Sequence, residues 1–299
     1  MKIAVLTDSG SAFSMEQAKV NGLYLVPLQV IDENISYQDG VDISREELYE
    51  RLRKNHTPKT SMPILAVVED TVKAIIADGY EGILSVPLSS GLSSTFNIIE
   101  LCCKELNIPV LTIEHYTTCN MQGYLAVLAK QLVDEGNSME EVKACLDEKI
   151  ATNGTLILPN DLQHLKRGGR LTPLAAAAAS LLKIKPVLKL DPQTDGKIDV
   201  FEKVRTEKKA TAFAVNYILQ QLSGREGRIF VIHSDCYAKA EEIKQALLLG
   251  NPKLTITIDY IYPVISAHTG LDCIAIQYIA QPECYRLHNL YPEFISETA

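Results

Sequence analysis

Four serines crowd the run 86–99, VPLSSGLSSTFNII, between a short apolar stretch and a helix-like one. A helix start needs one capping side chain, so Ser89, Ser90, Ser93 and Ser94 exceed what capping alone requires. The chemistry such a turn offers is anion capture. The first turn of a helix exposes unpaired N–H groups and carries partial positive charge. Added hydroxyl donors let it hold a carboxylate or a phosphate without a charged side chain. Two more stretches share the pattern. KTSMP (59–63) reads as a hydroxyl-rich turn ahead of a proline-started helix, and ISAHTG (265–270) as a loop after a strand, carrying His268.

Other chemistries fit less well. Gly91-Leu92-Ser93-Ser94-Thr95 gives G-x-S-x-T and lacks the second glycine that a nucleophile elbow packs on. A serine esterase, hydrolase or transferase using Ser93 is therefore the alternative reading. Walker-type and dinucleotide-type glycine loops are absent, as is H-E-x-x-H. The seven cysteines include no C-x-x-C pair, and Cys102 and Cys103 are adjacent, which suits neither a zinc site nor a disulfide framework. Free thiols in a reducing cytosol are the expectation, with no metal and no cofactor. The net charge of −8 argues against nucleic acid as a partner. MKIAVLTDS has too short an apolar run for a signal peptide. No apolar stretch reaches the roughly 20 residues of a membrane span. A soluble cytoplasmic protein is expected.

The elements that must position these residues follow from periodicity and caps. Apolar runs at 2–9, 23–31, 82–88 and 108–113 read as strands. Between and after them lie helix-like segments, three of them opened by Ser14, Ser44 and Ser138, with Gln17 and Glu141 completing capping boxes. Such alternation argues for a mainly parallel sheet flanked by helices. The second half reads as strands at 154–159, 227–235 and 271–280, a hairpin turning at Asp195–Gly196, and helices at 206–222 and 238–250. The chain of 299 residues is long enough for two domains. We expect an N-terminal α/β domain (1–151), a C-terminal α/β domain (152–280) and an appended tail (281–299). The alanine run 175–179 suits a helix that packs closely on a neighbour or leaves room for a ligand.

Taken together with LTDSGS (6–11) and LKRGGRL (165–171), the three hydroxyl-rich stretches carry a resemblance. The sequence resembles the DegV family and is similar to the fatty-acid-binding (FakB) subunits of bacterial fatty acid kinase. The matching motifs are Thr7-Asp8-Ser9, Thr60-Ser61-Met62-Pro63, Ser89 to Thr95, Leu165 to Leu171, Lys185-Pro186 and Ile265 to Gly270. The resemblance implies a two-domain fold with a ligand tunnel between the domains, enclosing one long-chain fatty acid of C14–C18. It implies that Thr60 and Ser93 hold the carboxylate, with His268 near the head group. Ser61, Ser90, Gly91, Ser94 and Thr95 are expected around them. It also implies docking of a separate kinase at Arg170 and Arg205, acyl phosphate formation by that kinase for phospholipid synthesis, and no catalysis by this chain. Transient exchange at a membrane surface, or lipid sensing, is compatible with it. A protonated His268 would strengthen the carboxylate pair, so weaker binding is expected as pH rises through its pKa. The sequence departs from the family at Ser94, where glycine is usual, and at EHYTTCN after the strand 108–113.

Overall fold

The computed structural model describes residues 1–178 and 184–280. Among the described residues thirteen strands form three sheets. The first is fully parallel, in the order β2 (Tyr24–Val26), β1 (Ile3–Asp8), β6 (Gly82–Val86) and β7 (Val110–Thr112). A small antiparallel sheet joins β3 (Gln29–Asp32) to β4 (Ile35–Gln38) and β5 (Lys59–Ser61). The third is mixed, in the order β10 (Asp199–Val204), β9 (Lys185–Leu190), β8 (Gly154–Leu158), β13 (Ile274–Ala280), β11 (Gly227–His233) and β12 (Leu254–Tyr260). All strands of the first sheet precede residue 113, and all strands of the mixed sheet follow residue 153.

The helix Cys119–Asp134 lies between the two large sheets. Twelve of its sixteen residues are buried, because it is apolar nearly all round. One core cluster runs through it, from Val5, Leu84 and Val86 of the parallel sheet to Ile157, Leu188, Phe230 and Ile232 of the mixed one. The outer face of the parallel sheet is covered by Leu65–Ala77 and Thr95–Glu105. The outer face of the mixed sheet is covered by Glu207–Leu222 and Tyr237–Gly250. Capping boxes at Ser14 and Ser138 start their helices as expected, and the expected cap Ser44 also forms one, with Glu47.

Three expectations are corrected. The run 23–31 is two strands in different sheets, Tyr24–Val26 and Gln29–Asp32, because Pro27 has no N–H to continue a ladder. The helix after KTSMP starts at Leu65, with Ile64 as its cap, and Thr60 sits in an edge strand rather than a turn. Pro263–Thr269 is a helix, not a loop, with Pro263 supplying the favoured first-turn φ. The alanine run is helical over Pro173–Ala178; its last residue, and the tail 281–299, lie outside the described residues.

Candidate functional site

Thr7-Asp8-Ser9 ends the central strand β1 and ties the serine-rich loop to it. Asp8 accepts from Leu88 N at 2.8 Å, from Gly10 N at 2.9 Å and from Gln122 Nε2 at 2.9 Å. Thr7 donates to Val86 O at 2.7 Å. Full burial pushes the Asp8 carboxyl up to about 6 in spite of these three donors. The loop is then clamped from the mixed-sheet side. A Cβ on Gly91 would sit 2.2 Å from Gly196 O, and one on Gly196 would sit 2.1 Å from Ser89 Oγ. Only glycines let the Ser89–Ser94 loop and the Asp195–Gly196 turn approach so closely.

Within that loop Ser93 and Ser94 do different things. The Ser93 hydroxyl bonds the Thr95 hydroxyl at 2.8 Å and accepts from Thr95 N at 3.3 Å. Ser94 occupies the cap position of Thr95–Glu105 but makes no side-chain capping bond. Its φ of −97° suits any L residue, so a side chain is tolerated there. Ser93 has hydroxyl and amide neighbours, and among the described residues no imidazole is bonded to it.

The other half of the site is a three-member chain. Arg170 Nη2 donates to Thr60 Oγ1 at 3.4 Å, and Thr60 Oγ1 meets His268 Nε2 at 2.7 Å. With the guanidinium donating to it, the Thr60 hydroxyl can give its own proton to an unprotonated Nε2. Burial and the adjacent Arg170 charge push His268 down to about 3. The expectation of a protonated imidazole is therefore corrected: His268 is neutral, and Arg170 is the cation of the cluster. Arg170 is half-buried, with Nη1 on Gly168 O at 2.9 Å. Gly168 is what lets His268 in, because a Cβ there would sit 2.7 Å from His268 Nδ1.

Thr60, Ser61, Ser90, Gly91, Ser93, Ser94, Arg170 and His268 all border one cavity of about 750 Å³. That lies within the range of small-molecule sites. Thr95 touches Ser93 but does not line the cavity, and Arg205 is exposed beyond β10, away from it. Much of the remaining wall is apolar. It includes Leu165, Leu171 and Ile265, and the sheet residues Ile157, Ile232 and Ala275. Sequence reasoning missed the Arg170–Thr60 contact and the deep wall at Thr155 and Gln277. The glycine pair 168–169 was a usable signal for the first; the second left none. Among the described residues no cluster of His, Cys, Asp and Glu is placed to hold a metal, and no helix is long and apolar enough to cross a membrane. The described cysteines are free.

A polar cluster bordering one cavity beside a mixed sheet, in a chain that also carries a parallel sheet flanked by helices, defines a class of two-sheet α/β proteins. Comparison with known proteins gives the particular group. Residues 2–281 match the family model described as "uncharacterised protein, DegV family", and the chain belongs to that family. A DegV domain-containing protein of Streptococcus pneumoniae is 32% identical over 283 residues, covering 93% of this chain and 99% of that protein. The crystal structure of DegV from Bacillus subtilis, described as a fatty acid binding protein, superposes with a TM-score of 0.84 at 31% identity, covering 94% of this chain and 100% of that one. A DegV family protein from Thermus thermophilus, described by its fatty acid binding, gives 0.85 at 26% identity over the same shares.

Proposed function

We propose that this chain binds one long-chain fatty acid, C14–C18, in the cavity bounded by the mixed sheet on one side and by the loop 88–94, Thr60 to Met62 and the start of the helix Cys119–Asp134 on the other. The observation that carries the reading is that one cavity is bordered both by Thr60, Ser93, Arg170 and His268 and by an aliphatic surface of Leu165, Leu171, Ile157, Ile232, Ile265 and Ala275. Each buried methylene contributes about 0.8 kcal/mol, so the chain dominates affinity. A buried carboxylate needs donors. Arg170 offers charge-assisted ones and Ser93 and Thr60 offer hydroxyls, with His268 Nε2 hydrogen-bonded to Thr60 behind them. The fatty-acid-binding descriptions of the Bacillus subtilis and Thermus thermophilus relatives support the same ligand class.

In this reading the protein is a non-catalytic carrier in the cytoplasm. It exchanges fatty acid transiently at the membrane surface and presents the carboxylate to a separate kinase that makes the acyl phosphate. Arg205, exposed after β10, suits a docking contact. Arg170 serves the ligand first, because its guanidinium already points to Thr60.

The test is mass spectrometry of protein purified without added lipid, native and then after solvent extraction. A one-to-one mass increment matching a C14–C18 fatty acid is expected. Protein that carries none and takes up none when fatty acid is added overturns the reading, and hydrolysis of acyl esters would then be assayed.

A further inference from the structure

Strand register divides the inner face of the mixed sheet into rows. Leu188, Ile157, Ala275 and Ile232 are mutual partners across β9, β8, β13 and β11, and they form one row. Two residues further along, Leu190, Thr155, Gln277 and Phe230 form the next. The first row is entirely aliphatic. The second has a polar centre, with Thr155 2% and Gln277 0% exposed. Thr155 and Gln277 both border the cavity, and Thr118 and Cys119 border it opposite them.

The polar centre is closed on itself. Gln277 Nε2 donates to Thr118 O at 2.7 Å and to Thr117 Oγ1 at 3.2 Å, and Thr117 and Thr155 hydroxyls meet at 3.2 Å. Gln277 Oε1 accepts from Met121 N at 3.1 Å. Met121 N belongs to the first turn of Cys119–Asp134, whose cap residue Thr118 makes no side-chain capping bond. Gln277 therefore caps that helix from another strand. Rotating the amide aside would strand a buried first-turn N–H. An aliphatic chain advancing over the first row meets a surface that offers it no contact better than the one it would break.

We propose that the Thr155–Gln277 row is the end stop of the cavity and sets the longest acyl chain it accepts. The inference rests on the fatty acid reading above. Rows are roughly 6.7 Å apart along the strands, so the stop is sharp on the scale of a few methylenes.

The experiment titrates the full-length protein with saturated fatty acids of increasing length and reads affinity by competition. Affinity should rise by about fourfold per methylene up to one length and then level or fall. Thr155→Ala removes side-chain volume from the stop and leaves the Gln277 cap in place, and it should move that length upward by about two carbons. Gln277→Ala should move it further if the variant folds. Ile157→Ala, one row nearer the mouth, should change affinity at every length and leave the turning point where it was. A wild type whose affinity shows no turning point overturns the end stop, as does a folded Thr155→Ala with the wild-type profile. A wild type that takes up no fatty acid overturns the carrier reading, and this inference falls with it.

Discussion

At the polar end of the cavity, four side chains arrive from four separate segments. Thr60 comes from edge strand β5, Ser93 from the loop before Thr95–Glu105, Arg170 from the turn after Leu162–Arg167, and His268 from the last turn of Pro263–Thr269. At the deep end, the lining comes from neighbours on paired strands, Ile157 against Ala275 and Thr155 against Gln277. The first arrangement depends on a few close loop contacts, each specified by a glycine. The second depends on sheet register, which many ladder bonds enforce together. Damage at the polar end should therefore be abrupt, and damage at the deep end graded.

The largest expected effect is at the clamp. Gly91→Ala places a carbon where Gly196 O already lies, 2.2 Å away, and backbone must shift. Overpacking of this kind costs about 1–3 kcal/mol. If the shift falls on the Ser93 loop, fatty acid affinity should drop by about a hundredfold, with little change in the circular dichroism spectrum. Retained affinity would mean that the loop does not seat the ligand. Next comes Arg170→Met, which keeps an aliphatic stem and removes the charge. A lost hydrogen bond to a charged group is worth about 1.5–3 kcal/mol, so affinity should fall about 10- to 100-fold. Unchanged affinity together with lost kinase coupling would return Arg170 to a docking role. Ser93→Ala should cost about fivefold, the net value of one neutral hydrogen bond.

The same contrast explains what the sequence disclosed. The polar end is written in local motifs, because glycines and hydroxyls at turns have few other uses. The Ser89–Thr95, Gly168–Gly169 and Ile265–Gly270 stretches could all be found before any fold was known. Their conformations were less legible. Ile265 to Gly270 reads as a loop, yet Pro263 makes most of it helix, and Thr60 lies in a strand that exists only because β3 pairs with it. The deep end was not legible. Thr155 and Gln277 are separated by 122 residues in the chain, and only the antiparallel register of β8 and β13 places them side by side. Nor does any local pattern say that a glutamine in β13 caps the helix Cys119–Asp134.

The smallest expected effect concerns pH, where the two ends again separate. With His268 pushed down to about 3 and Arg170 charged throughout, neither titrates between pH 7 and 9, so affinity should be flat there. Stability should not be. Asp39 is fully buried, with no ion-pair partner among the described residues, and burial pushes its carboxyl up to about 7. A carboxyl raised in the folded state binds a proton that the unfolded chain, near its ordinary value, has already released. The burial penalty is thus fully present above pH 7 and is relieved as pH falls from about 7 toward 4. Asp39→Asn should therefore stabilise the protein by about 2 kcal/mol at pH 8 and by progressively less toward pH 4. Denaturant melts across that range measure it. Asp39 neighbours the start of the Pro263–Thr269 helix that carries His268, through the Val264 backbone. A binding slope that vanishes in Asp39→Asn would belong to that carboxyl. One that survives Asp39→Asn and vanishes in His268→Gln would show that the bound carboxylate draws a proton onto the imidazole.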